Sequence, residues 1–488
     1  MRSAQVPVAL FAALLFWSAA FALTRRVPQE YATIQAAFDA VADGDTVLVA
    51  LGTYSEALAA PSHSFVLRGD VVPDTGDYPR PVIDPTSLPG SVSLACVIAL
   101  DSTHDQIFED LVFRNGAAMY ENRPPGHTGG ILSNGPRTFS SCRFDSVYCS
   151  FASQGGTVTL DQCVFRNSNR YAFNGVFGGL LATGCEFTGH TDGTPLVQAS
   201  NGSEIRQCWF HDSEHSEALA LFGGRLVENC LFDSCGPQIF YLIAAGEFTG
   251  RFRNNIVSNC QLLTSALHVL NTCEDTIRIN GNQFVHNTAY NGHSLIGCDL
   301  WLPTCDSMPT TDSDFVAIVD SNLFADGTAG GSGCKSIFAD ASTLCSRNRF
   351  VRIQSDDPEV AISYGGCKLR SDFFLDGAED YAVLSPQPLH SADARWNWWG
   401  DSTGPFHITG NPGGHGARIE GGADFDPWCT DTLNCAQPEA ARGHFDFRPS
   451  AYSLAAYPNP FNSVTRLRLE VPSPVIARFE LFNVLGRG

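Results

Sequence analysis

Several groups of side chains in this sequence stand where they could do chemistry. Asp312 with Asp314, and Asp356 with Asp357, are paired carboxylates in polar stretches, where a hard cation such as calcium takes oxygen ligands. Neither pair has the spacing of a recognised calcium loop, so no cofactor is expected, calcium on these carboxylates being the one candidate. His127, within Pro124-Pro125-Gly126-His127-Thr128-Gly129-Gly130, is a lone imidazole, and such residues serve structure or solvation more often than catalysis. Trp398 and Trp399 could stack on sugar rings, although a Trp pair beside Gly400 and Pro405 fits the packing of a cap better. The chain has 17 cysteines, an odd count. Cys429 with Cys435, and Cys298 with Cys305, are close enough in sequence for local disulfides that staple loops. No Cys-x-x-Cys pair occurs, which argues against zinc. Catalytic residues are therefore unknown at this level, and no metal or cofactor ligand is assigned.

The elements that would carry such residues follow from a repeat. An Asn or Cys, any residue, then Phe recurs as Cys142-Arg143-Phe144, Cys163-Val164-Phe165, Cys185-Glu186-Phe187, Cys208-Trp209-Phe210 and Cys230-Leu231-Phe232. It continues as Asn255-Ile256-Val257, Asn282-Gln283-Phe284, Asn322-Leu323-Phe324 and Asn348-Arg349-Phe350, in steps of 21, 22, 23, 22, 25, 27, 40 and 26 residues. Steps this regular mark a solenoid. Within each unit the first and third positions are apolar or small, whereas the middle one tolerates Arg, Glu, Gln and Trp. That alternation is a strand with its middle residue facing out. Units this small cannot bury a face alone, so coils must stack in register, Phe over Phe and Asn over Asn. Cys142, Cys163, Cys185, Cys208 and Cys230 should form one line of small buried hydrophobes. The 40-residue step contains an extra segment, Trp301 to Asp314, expected to project as a loop.

The remaining features bound compartment and partners. Residues 1–22 have the plan of a signal peptide: Arg2, an apolar run from Val6 to Phe16, and Ala20-Phe21-Ala22 for cleavage. The mature chain is expected to begin near Leu23 and to be secreted or displayed at the cell surface. No later segment is long and apolar enough to span a bilayer. A formal charge of −21, with Lys335 and Lys368 the only lysines, argues against nucleic acid as a partner. Tyr31 to Ala42 places Ile34, Phe38 and Val41 at helical spacing, and Asp43-Gly44-Asp45 should end that helix before a strand at Thr46 to Ala50. This helix would cap the first coil.

Val27-Pro28-Gln29-Glu30-Tyr31-Ala32-Thr33-Ile34-Gln35-Ala36-Ala37, with Gly44-Asp45-Thr46-Val47 and Gly52-Thr53-Tyr54-Ser55-Glu56, resembles the opening of pectin-lyase-like right-handed parallel β-helix proteins. Asn397-Trp398-Trp399-Gly400-Asp401-Ser402-Thr403-Gly404-Pro405, with Asp424-Phe425-Asp426-Pro427-Trp428, is similar to the closing segment of exported bacterial β-helix repeat proteins. Tyr457-Pro458-Asn459-Pro460-Phe461-Asn462 and Leu481-Phe482-Asn483-Val484-Leu485-Gly486-Arg487 resemble the C-terminal sorting domain of type IX secretion, cut short after about half its strands. The resemblance implies an all-β chain in five parts. These are a signal peptide (1–22), a cap-helix region (23–45), a right-handed parallel β-helix (46–430, with closing segment 396–428), a linker (431–456) and a truncated sorting-domain-like segment (457–488). It implies polysaccharide or cell-surface glycan as partner, and secretion machinery reached through the tail.

The catalytic sets of that superfamily are sparse here. Gly414-His415-Gly416 matches one motif of polygalacturonase-like hydrolases, but it lies in the closing segment, and Asp356-Asp357 lacks its Asn-Thr-Asp companion. Tyr171-Ala172-Phe173-Asn174-Gly175-Val176-Phe177-Gly178 approaches the esterase stretch without its carboxylate. No ordered calcium-carboxylate set of the pectate-lyase kind stands out. The expectation is binding of glycans or surfaces without catalysis, with a polysaccharide lyase or glycoside hydrolase as the alternative.

Overall fold

The computed structural model describes residues 22–435, 453–457 and 466–470, apart from 73–77, 90–93, 117, 120–127, 148–150, 154, 169–170, 176–177, 191–194, 201, 215–217, 237–240, 247–249, 263–264, 272–276, 290–293, 301–316, 330–334, 340–342, 353–359, 363–366, 376–380, 386–391 and 434. The chain winds as a right-handed parallel β-helix with three sheets along its length. Among the described residues, sheet I has fourteen strands, from Thr24–Val27 to Lys368–Arg370; sheet II has thirteen, from Thr53–Tyr54 to Phe373–Phe374; sheet III has fifteen, beginning at Leu58–Ala59. Strands in all three pair parallel with the next coil.

Two sharp bends per coil make this winding possible. The residue just before each Cys or Asn of the repeat has a positive φ, and so does the residue five further on: Ser141 and Ser146, Gln162 and Asn167, Gln207 and Asp212, Asn254 and Asn259. Between them lies a three-residue strand of sheet II, such as Arg143–Asp145. The left-handed conformation costs an ordinary L-residue roughly 1–2 kcal/mol, and short polar residues tolerate it best. Gly184 and Gly281 occupy the first bend in two coils and relieve that cost there.

Inside, the repeat stacks as expected. Phe144, Phe165, Phe187, Phe210 and Phe232 are register partners in turn. Their rings are nearly parallel, with centroids 4.4, 4.9, 4.7 and 4.9 Å apart, which is the spacing between strands. Val257 interrupts the column, and it resumes through Phe284, Phe324, Phe350 and Phe374 to end on the buried Trp399. The five cysteines from Cys142 to Cys230 are buried free thiols on one line. At Asn255 the same position changes to amides. Asn255 Nδ2 donates to Asn282 Oδ1 at 3.1 Å, Asn282 to Asn322 at 3.0 Å and Asn322 to Asn348 at 3.0 Å. Each buried amide thus finds its partners in the coils above and below.

The N-terminal end differs from expectation in two ways. The helix spans Ile34–Phe38 and not Tyr31 to Ala42, because Ala40 and Val41 close with tighter bonds to Ala37 and Phe38 and turn the chain toward Asp45–Val49. Thr24–Val27, assigned to the cap region, is itself a strand paired with Thr46–Val49, so sheet I starts before the helix. The motif carboxylates explain this end. Glu56 accepts from the backbone N–H groups of Ile34 and Gln35, both at 2.9 Å, and so caps the helix from another coil. Asp45 accepts from Leu23 and Ala42 and is gripped by both arms of Arg25. At the other end Cys429 and Cys435 form the expected disulfide. Cys298 lies in the strand Ser294–Leu300, while Cys305 and the Trp301 to Asp314 insertion lie outside the described residues. The insertion leaves sheet III after Leu300, and the chain re-enters sheet I at Ala317. Ser453–Tyr457 pairs antiparallel with Arg466–Glu470, so a hairpin begins inside the stretch read as a linker.

Candidate functional site

The residues on either side of the buried Phe in each sheet II strand point away from the core, and on the cysteine coils they form a cluster. Trp209 and His211 lie on one strand, separated by the buried Phe210, so alternation puts both rings on the same side. The rings stack with centroids 3.6 Å apart and planes 22° from parallel. One coil earlier Glu186 is the register partner of Trp209, and one coil before that Arg166 follows Val164 on the same face. Diagonal contacts join them: Arg166 lies 3.4 Å from the Glu186 carboxylate and His211 Nε2 lies 3.5 Å from it. His211 Nδ1 meets the exposed Asp212 carboxylate at 2.7 Å. Arg143, on the coil before Arg166, extends the line.

The electrostatics follow from these neighbours. Burial alone would raise the Glu186 carboxyl, but the His211 ring and the Arg166 guanidinium outweigh it and hold it below its ordinary value. Burial alone would lower His211, yet Glu186 and Asp212 prevail and raise it. Burial, with Arg166 one coil away, pulls Arg143 below its usual value. Around the corner on sheet I, Arg206 bridges Glu204 and Glu228, both at 2.9 Å, and Arg253 meets Glu228 at 2.8 Å.

The arrangement offers a flat aromatic ring with forked cationic donors and carboxylate acceptors beside it, suited to stacking on and hydrogen bonding a polyhydroxylated chain. It is poorly suited to proton transfer. A general acid in glycoside hydrolysis needs a carboxyl raised toward neutrality, and Glu186 is shifted the other way. A base needs a free nitrogen, and each ring nitrogen of His211 faces a carboxylate.

The residues singled out from sequence do not assemble here. Trp399 is fully buried at the foot of the Phe column, which is the cap role expected of it; Trp398 is half-buried and pairs with Phe373. His415 is exposed in the closing segment, its backbone N–H held by Thr403 Oγ1. Phe173 and Asn174 of the esterase-like stretch are buried in sheet III. His127 and the pairs Asp312–Asp314 and Asp356–Asp357 lie outside the described residues. Among the described residues no group of three or more His, Cys, Asp or Glu is placed to hold a metal ion. The repeat places Trp209 and Glu186 outward, while their association with Arg166 and His211 comes from diagonal contacts between coils. The signal was available: steps of 22 and 23 residues bring Glu186 beside Trp209, and Trp-x-His puts two rings on one face.

A comparison with protein families agrees with the architecture. A family model described as the right handed beta helix region matches residues 129–299. No curated protein matches the chain. Among solved structures, the chain is similar to an alginate lyase from Paenibacillus sp. str. FPU-7 (12% identity, 71% of this chain and 99% of that one, TM-score 0.29). It is also similar to PfbA, a surface adhesin of Streptococcus pneumoniae (12%, 77% and 87%, TM-score 0.34), and to the pectin methylesterase from Aspergillus niger (14%, 69% and 85%, TM-score 0.23). At these scores the likenesses say nothing about activity.

Proposed function

We propose that this is an exported, surface-associated β-helix protein that binds glycans through the outward face of sheet II, centred on Trp209, without turning them over. The observation that carries this reading is the Trp209–His211 stack flanked by Glu186 and Arg166 on a rigid strand face. Rigid strands hold these groups at fixed spacing along the solenoid axis, so an extended polymer lying along the axis meets several at once at little cost in ordering. Removing the Trp209 ring should weaken retention of a bound polysaccharide about tenfold. Isothermal titration of the wild type and Trp209→Ala against a panel of neutral and acidic polysaccharides measures this. Equal affinities for both proteins across the panel would reject the assignment of the face.

A second reading, a polysaccharide lyase or glycoside hydrolase of the pectin-lyase-like superfamily, draws on the same cluster, since it joins a carboxylate, an imidazole and a guanidinium. Reducing-sugar and unsaturated-uronate assays, with and without calcium, separate the two, because turnover that disappears in Glu186→Gln would favour the enzyme. Export rests on residues 1–22, and attachment through type IX secretion on the tail after Tyr457. Mass analysis of the protein recovered outside the cell is expected to find a chain beginning near Leu23.

A further inference from the structure

The amide row contains one member of a different kind. Each Asn in it accepts at Oδ1 from the backbone N–H of the coil before, from Asn282 to Asn348 also from that coil's amide, and donates twice from Nδ2. Asn348 shows the pattern, with Nδ2 donating to Val319 O and to Asp372 Oδ1, both at 2.9 Å. Asn282 and Asn322 address Phe252 O and Ile279 O in the same way. Asp372 occupies the next rung and is fully buried. Its Oδ1 does what an amide oxygen would, accepting from Asn348 N at 2.8 Å and Asn348 Nδ2 at 2.9 Å. Its Oδ2 stands where every other member has an NH2 group, and it is buried without a hydrogen-bond donor among the described residues. The groups an amide would address from there are acceptors. One is the carbonyl of Cys345, the register partner of Val319; the other is Asn397 Oδ1, which already accepts from Asp372 N at 2.9 Å.

We propose that Asp372 is held in the folded protein as a neutral carboxylic acid whose Oδ2–H replaces the missing amide donor, and that its ionisation loosens the last coils and closing segment. A carboxylate there would set an anion against carbonyl oxygens in a fully buried site, whereas the protonated acid completes the row. The surrounding titratable groups do not neutralise it. Facing it from the neighbouring strands are the buried thiols Cys345 and Cys367 and the Asp320 carboxylate, which is itself gripped by Arg347. On the strand that precedes it Arg370 is engaged by Asp393, and the side chains of Lys368 and, one coil earlier, Arg349 are at the outward positions of their strands. Burial pushes the Asp372 carboxyl up to about 8, against the pull of the Asn348 donors, and Asp320 adds to the rise.

The sign follows from linkage. The folded value lies above the unfolded value near 3.8, so the stability associated with this group is complete below that value. It is lost as pH rises toward about 8 and changes no further above it. Asp372→Asn, which restores an amide, should fold more stably than the wild type at neutral pH. Its advantage in the folding equilibrium should grow about tenfold per pH unit from pH ~5 to ~8 and then level off. Urea unfolding of both full-length proteins across that range reads this, and infrared spectroscopy reads the proton directly. The wild type at neutral pH should show a protonated-carboxyl stretch that Asp372→Asn lacks. A pH-independent difference between the two proteins, or no such band, would overturn the proposal.

Discussion

The coils from Cys142 to Cys235 and those from Asn255 to Phe374 share one backbone plan and fill the same corner by opposite means. In the first set the corner holds thiols, whose Sγ atoms lie near carbonyls, as Cys163 does to Phe139 O at 3.3 Å, and the steps are 21 to 23 residues. In the second set it holds amides linked from coil to coil, and the steps lengthen to between 24 and 40. A thiol is a small hydrophobe that needs no partner, so each cysteine coil is nearly independent of what its neighbours place there. A buried amide must have partners, so every amide coil commits the next one. The outer surfaces differ as well. Arg166, Glu186, Trp209 and His211 decorate the thiol coils, whereas Ile256, Gln283, Leu323 and Arg349 hold the first, and Ser258, Val285 and Ala325 the last, outward positions of the amide coils. The candidate binding face is thus built over the half whose interior makes the fewest polar demands.

The sharpest break of this contrast is to remove one amide. Asn322 accepts from Asn282 N and Nδ2 and donates to Ile279 O and Asn348 Oδ1. Asn322→Ala orphans groups on both sides and should destabilise by about 4 kcal/mol or more, measured by urea unfolding. A loss near 1 kcal/mol would mean that the row is not cooperative.

Moving an amide across the boundary tests whether neighbours decide the outcome. Cys230 already donates its backbone N–H to Asn255 Oδ1, and its thiol sits 3.6 Å from Ile205 O, so in Cys230→Asn the introduced amide would meet both an acceptor carbonyl and the existing row. Its cost should stay below about 1 kcal/mol. Cys163→Asn faces thiols above and below and should cost about 2 kcal/mol. Equal costs would remove the distinction. Cys185→Ala, which deletes a small group and strands no donor, should cost about 1 kcal/mol.

The interior half of this picture could be read from the chain itself. The Phe column, the aligned cysteines and the amide row follow from one spacing, because in-register stacking turns sequence period into spatial contact. The corners show in the chain as polar pairs after the Phe, such as Asp145-Ser146 and Arg166-Asn167, though their left-handed backbone does not. What escaped had no period to announce it. Thr24–Val27 is a single strand whose partner lies beyond the helix, and Asp372 departs from the Asn-x-Phe signature at the position where the departure matters. The Trp209 cluster depends on diagonal contacts between coils, which the period locates only once the fold is accepted.

The smallest expected effect belongs to the outer face and separates the two halves by pH. The raised His211 stabilises fully below its unfolded value near 6.5, and that contribution is lost as pH rises through the folded value. The lowered Glu186 stabilises above its unfolded value near 4.5, and that contribution is lost as pH falls through the folded one. The pair is therefore strongest between about 4.5 and about 6.5. Because burial works against both charges and offsets most of their attraction, it should contribute less than about 1 kcal/mol. Wild type minus Glu186→Gln, followed as melting temperature against pH, should trace a shallow maximum in that window. In the amide coils Gln283 and Leu323 hold the place of Glu186, so replacing Gln283 by Ala should shift the melting temperature equally at every pH. A maximum for both substitutions would place the titration elsewhere in the solenoid, and with it the electrostatic distinction of the Trp209 face.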